Sequence, residues 1–201
     1  ELNDENIRID NIEYTYKKID DPETVVGRYV KAYMNEDAGN RIMALRILEK
    51  KNNVLELESD DISLDSITER EIPYYNSSDR EMTAKLSATV NVIYNGELVP
   101  FFAREDLKAD DAYYTLIDSN DDNVYDTVII NKYTPILVWR ASNGKVSYTV
   151  VDYNNNTYNF DDFFRDGYPF LEESGNAASW RDVGQYDILS LRQTKTGEYN
   201  R

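Results

Sequence analysis

The chain is expected to fold as mostly β, in small antiparallel barrel or sandwich modules with minor helix, and three observations carry this. Short apolar runs rich in Val, Ile, Tyr and Thr recur every ~8–12 residues with turn signals between them. Tyr occurs 17 times against 6 Phe and 2 Trp, and Tyr suits half-buried strand faces because its ring packs while its hydroxyl reaches water. Only 5 Pro and 8 Gly interrupt 201 residues, so the chain is neither a linker nor a low-complexity segment.

Residues 1–23 are polar and partly extended, as an edge strand or a connector. Residues 25–34 show imperfect two-residue alternation and read as a strand. A turn follows over 35–40, then strands over 41–48 and 54–59. Residues 45–51 admit a short helix as the alternative, but a strand entering the Lys51-Asn52-Asn53 turn makes a barrel-like meander. Further strands are expected over 62–64, 67–75, 82–86 and 89–94. The last of these runs into Asn95-Gly96, the preferred pair for a two-residue hairpin turn. Residues 103–111 form the best helical segment, one or two turns long. The strongest β runs are 113–117, 127–133 and 135–140. A second Asn-Gly turn at 143–144 precedes a strand over 145–151, 152–157 is a polar turn, and 158–184 is irregular. Residues 186–194 form a last strand. Two modules are expected: residues 1–60, an extended segment with a small barrel-like unit, and residues 61–201, a larger β unit.

Composition narrows the function. The formal net charge is −16, which repels phosphate backbones and anionic lipid, so neither nucleic acid nor membrane insertion is expected. No apolar run approaches the ~20 residues of a membrane helix. With no Cys and no His, thiolate nucleophiles, imidazole bases and Cys- or His-ligated metals are excluded. Cys-free composition fits an exported Gram-positive protein, and Glu1 at the first position is expected to mark a mature fragment or an excised piece. Acid pairs such as Asp60-Asp61 and Asp161-Asp162 recur, but neighbours on a strand face opposite ways, and nothing selects one pair for catalysis. The chain is therefore expected not to be an enzyme.

Two constellations carry chemistry. Asp118, Asn120, Asp122 and Asp126 place oxygen side chains at alternating positions, and the Val124 carbonyl adds one more. Calcium takes six to eight oxygens, so this spacing makes the 118–126 loop a candidate calcium site at a hairpin tip. The same loop also reads as a metal-free turn in which Asp and Asn bond their own backbone. The second constellation is aromatic. Trp139, Tyr158, Phe163, Tyr168 and Trp180, with Tyr153 and Phe164, are candidates for a platform that binds glycan or protein, or else for a core.

The run from Leu116 to Tyr133, Leu-Ile-Asp-Ser-Asn-Asp-Asp-Asn-Val-Tyr-Asp-Thr-Val-Ile-Ile-Asn-Lys-Tyr, resembles a recurring stretch of surface proteins from Clostridia and related Firmicutes. Many of those proteins carry S-layer homology domains. Val92-Ile-Tyr-Asn-Gly96 before it and Tyr186-Asp-Ile-Leu-Ser-Leu191 after it match in order, over roughly residues 67–197. Asn123 stands where that stretch has Gly. The resemblance implies an accessory β module on the bacterial cell surface, extracellular and structural. Its partners would be copies of itself or other domains of the same surface protein. The alternatives are a module that binds cell-wall glycan or protein through the C-terminal aromatics, and a phage tail or fibre component.

Overall fold

The computed structural model describes residues 6–10, 12–15, 22–35, 41–142, 144–165, 170–172 and 176–197. The expected turn at 35–40 and Asn143 of the second Asn-Gly pair fall wholly or mostly outside these residues.

Among the described residues the fold is mostly β, and one of its sheets curls into a half-barrel. Strands β1 (Asn6–Ile9) and β2 (Ile12–Thr15) form an antiparallel hairpin. Strands β3 (Val30–Asn35) and β4 (Arg41–Ile47) form a second antiparallel pair, with a register shift between Tyr33 and Met34. Residues 25–29, expected to be strand, are instead the end of a 3-10 turn (Pro22–Val25) and a bend in which Gly27 has φ +73°. Gly27 is required there: a Cβ would stand 2.8 Å from Cγ2 of Thr127.

The main sheet holds β5 (Asn53–Glu58), β6 (Glu71–Tyr75), β7 (Glu81–Tyr94), β8 (Glu97–Leu98), β9 (Ala112–Asp118) and β10 (Tyr125–Lys132). Its order is β5-β9-β10-β7-β6, and β8 pairs with β7. The expected meander over the first sixty residues does not form. Strand β5 pairs antiparallel with β9, from Asn53 opposite Asp118 to Glu58 opposite Tyr113, and not with β4. Local alternation specifies that β5 is a strand but carries no signal for a partner 60 residues away. The two strands expected over 82–86 and 89–94 are one. Ala84, Leu86, Val90 and Val92 are buried along the same face of β7, and Ser87-Ala88 keeps the strand unbroken although Ala88 on that face is exposed. At Asn95-Gly96 both residues have positive φ, +48° and +82°, as the expected hairpin turn needs. The helix expected over 103–111 shrinks to a 3-10 turn, Arg104–Leu107. Behind it the buried Tyr114 hydroxyl accepts the Ala109 N–H at 2.8 Å and lies 3.0 Å from the Leu107 carbonyl, to which it donates.

A four-stranded sheet, β13-β12-β11-β14, contains β11 (Thr134–Ala141), β12 (Thr149–Asp152), β13 (Thr157–Asn159) and β14 (Ile188–Leu191). All three of its pairings are antiparallel. The five-residue helix α1 (Asp161–Arg165) lies in the stretch read as irregular.

The chain divides into two compact units. One comprises Glu1–Ile93, Leu98–Ala109 and Tyr113–Ile130, and the other Tyr94–Glu97, Asp110–Ala112 and Asn131–Arg201. Residue 60, the expected boundary, lies on the 3-10 turn Ser59–Asp61 inside the first unit. No helix among the described residues is long and apolar enough to cross a membrane.

Candidate functional sites

The 118–126 loop is the tip between β9 and β10 and carries all five expected residues. Asp118 ends β9 and is fully buried. Its Oδ1 accepts the N–H groups of Asn120 (3.2 Å), Asp121 (2.8 Å) and Asp122 (3.3 Å), and its Oδ2 accepts that of Asn123 (2.8 Å). Asn120 Oδ1 accepts the Asp122 N–H, and Asp122 Oδ1 accepts the Val124 N–H. Asp126 Oδ2 accepts both the N–H and the hydroxyl of Ser119, at 3.1 and 2.9 Å. Asp121 and Asn123 take positive φ, +63° and +65°, which the backbone tolerates best at Asp, Asn and Gly. These side-chain oxygens are thus directed to the loop's own N–H groups, the Asx pattern of a self-supporting turn. Among the described residues no group of three or more acidic side chains is gathered as a metal cage. Beside the loop, burial raises the Tyr125 pKa, with smaller contributions from Tyr74 and from the charge of Asp118.

A second hairpin tip repeats the device and was read from sequence only as a polar turn. Asp152, at the end of β12, accepts the N–H groups of Asn154 and Asn156 on Oδ1, both at 2.8 Å. Its Oδ2 accepts the Asn156 side-chain amide at 2.8 Å and the Tyr158 hydroxyl at 3.3 Å. Burial raises the Asp152 pKa, but these hydrogen bonds outweigh it and hold the carboxyl below its usual range. Burial and the charge of Asp152 push the Tyr158 hydroxyl up.

The expected aromatic platform divides between core and surface. Trp180 is buried with Ile136, Val138, Val150 and Phe160, and Tyr158, Phe163 and Phe164 pack against that core. The Trp180 indole N–H donates to the Ser142 carbonyl at 2.9 Å, which satisfies its one polar atom. Tyr168 lies outside the described residues. Of the four described, only Trp139 is exposed. It adjoins Tyr153, one of the aromatics expected in the platform, and through it Tyr186, which the sequence did not place there. Trp139 meets Tyr153 edge-on at 5.0 Å, and Tyr153 stacks on Tyr186 at 5.7 Å. Tyr186 has φ +75°, a strained conformation for an aromatic residue. It is held by its N–H donating to the Val138 carbonyl at 2.9 Å. Alternation along β11 explains the division: Ile136 and Val138 face inward, so Leu137 and Trp139 face outward. Ile188 of β14 lies opposite Leu137. The outer face of this sheet therefore carries Leu137, Trp139, Tyr153, Tyr186 and Ile188, with Tyr186 and Ile188 68% and 67% exposed.

No family model, no curated protein and no solved structure matches this chain.

Proposed function

We propose that this chain is a non-catalytic assembly module of a bacterial extracellular surface protein. Its C-terminal sheet face would contact a neighbouring protein of the surface array. The observation that carries the reading is the exposed apolar set Leu137, Trp139, Tyr153, Tyr186 and Ile188. Contiguous apolar surface of this kind marks interaction sites, and aromatic residues are enriched at the centre of protein interfaces. The aliphatic pair Leu137 and Ile188 favours a protein partner over a sugar. A sugar calls for ring faces and converging hydrogen-bonding groups, and two aliphatic side chains abreast offer only dry contact. The surface resemblance over residues 67–197 and the acidic, Cys-free composition support an extracellular place.

The test is assembly of the purified chain, followed by pelleting and electron microscopy over a range of salt and divalent cation. Ordered planar arrays are expected, and they should be lost in the double variant Trp139→Ser/Ile188→Ser. Fibres or closed tubes would instead favour the tail-component reading. A chain that stays monomeric throughout and is captured by purified cell-wall glycan would overturn the assembly reading in favour of the glycan one.

A further inference from the structure

The second observation lies in the first unit, at the loop after β8. Phe101 is 102% exposed and has φ +57°. Position 101 follows Pro100, where a left-handed backbone is ordinarily taken by Gly or Asn. A phenyl ring is thus both strained and fully in water, two unfavourable features at one residue, and such outliers cluster at functional contacts.

Phe101 stands at the wall of an open cleft of about 520 Å³ whose other sides are Glu69, Arg70, β7 from Ala88 to Asn91, and the rest of the 98–102 segment. The cleft is a gap in the cover over β7. Ala84, Leu86, Val90 and Val92 are buried on one face of that strand, and Ala88 on the same face is exposed. Ala88 is open to solvent, and Leu98 at the rim is itself exposed. An apolar cavity of about 150 Å³ already accepts a benzene-sized ring, so the cleft has room for a phenyl group.

We propose that Phe101 inserts into this cleft of a second copy of the chain, and that the second copy's Phe101 fills the first copy's cleft in return. Two features select a second copy. Knob and hollow belong to one patch, since the 98–102 segment supplies both Phe101 and part of the cleft wall. A two-fold interface needs such a self-complementary patch. Glu69 and Arg70 stand side by side at the cleft, so a two-fold axis can appose each to the opposite charge. The contact is small, and the net charge of −16 opposes it. The dimer should therefore be weak in dilute salt and tighter as salt screens the repulsion. The inference rests on the assembly reading but uses a different surface. A planar array needs at least two kinds of contact, and this one supplies the second.

Sedimentation equilibrium of the full chain tests it in the Trp139→Ser/Ile188→Ser background. That background removes the C-terminal face, so loss of the dimer and loss of the array are read separately. The expected result is a monomer–dimer equilibrium that tightens with added sodium chloride. Phe101→Gly relieves the backbone strain, so its melting temperature should be unchanged or higher. Its dimer should nevertheless weaken about a hundredfold or more, because two ring burials are lost per dimer. Ala88→Leu fills the hollow from within and should weaken the dimer similarly. An equimolar mixture of the two variants should dimerise with intermediate affinity, since one knob still meets one hollow. A background chain that stays monomeric to millimolar concentration at low and high salt overturns the proposal. So does a dimer whose affinity is unchanged in either variant.

Discussion

Replacing Asp118 by Ala removes the group on which the β9–β10 tip is organised, and the geometry sets the expected cost. Asp118 accepts four backbone N–H groups and is fully buried. The two short bonds, from Asp121 and Asn123 at 2.8 Å, are charge-assisted and contribute about 1.5–3 kcal/mol each. The bonds at 3.2 and 3.3 Å add little. Residues Asn120 to Asn123 are exposed, so water recovers part of the loss and brings the net cost to about 2–4 kcal/mol. For a chain of this length the melting midpoint should fall by roughly 5–15 °C. Asp118→Asn keeps one acceptor oxygen and sets an amide N–H against the Asn123 N–H, so about half the cost should remain. Urea and thermal unfolding give the energies, and amide exchange at residues 120–123 should quicken in the Ala variant first. If both variants lie within ~0.5 kcal/mol of the parent, the carboxylate does not organise the tip and the reasoning fails. Melts in millimolar calcium and in chelator bring in the ion. The order of cost, Ala above Asn, should hold in both, since both carboxylate oxygens already serve the backbone. A calcium-specific rise in midpoint that Asp122→Ala abolishes would instead assign those oxygens to a cation.

Three further outcomes follow from the same structure. Gly27→Ala forces a Cβ to within 2.8 Å of Thr127 at a φ of +73°, and should cost about 1–3 kcal/mol in urea unfolding; a neutral variant would show that the backbone there relaxes freely. Trp180→Ala should cost about 3–5 kcal/mol by opening the core, whereas Trp139→Ala should leave stability within about 1 kcal/mol. Acrylamide should quench Trp139 and spare Trp180, and equal quenching of both would contradict their placement. Asp152 has a folded pKa below its unfolded one, so its stabilisation is complete above about pH 4 and is lost as pH falls through the folded value. Tyr158 is shifted up, so its share is present below about pH 10 and is lost as pH rises through the folded value. In Asp152→Asn the acid limb of a midpoint-against-pH curve should flatten, and an unchanged limb would remove Asp152 from its cause.

The parts of this fold that local chemistry decides were legible in the sequence. Apolar runs rich in β-branched and aromatic residues, set between turn signals, locate β4, β5, β9, β10 and β11 to within a residue or two, and Asn95-Gly96 takes the turn its composition demands. Long-range pairing was not legible. The choice of β9 over β4 as the partner of β5 depends on a register that no short window contains. Among candidate site residues, the outward direction of Trp139 follows from its place after inward Ile136 and Val138, on the face opposite theirs along β11. Trp180 sits in a stretch without period, so nothing local marked it as core. Tyr186 pairs with Tyr153 only through a strained backbone that composition does not announce. Asp118 and Asp126 were singled out for their oxygens, and both lie on the β9–β10 tip. Spacing alone does not distinguish oxygens that face an ion from oxygens that face N–H groups, because both need the same short acidic side chains.

The chain passes between the two units at 93/94, 97/98, 109/110, 112/113 and 130/131. Domains joined end to end in a gene meet at one linker and can be shuffled, duplicated or lost separately. Here no single crossover separates the coding segments of the two units, since any cut between residues 93 and 131 leaves a piece of one with most of the other. Cutting the chain at 130/131 therefore leaves segments 94–97 and 110–112 of the second unit in the first, and neither unit is one continuous stretch of chain.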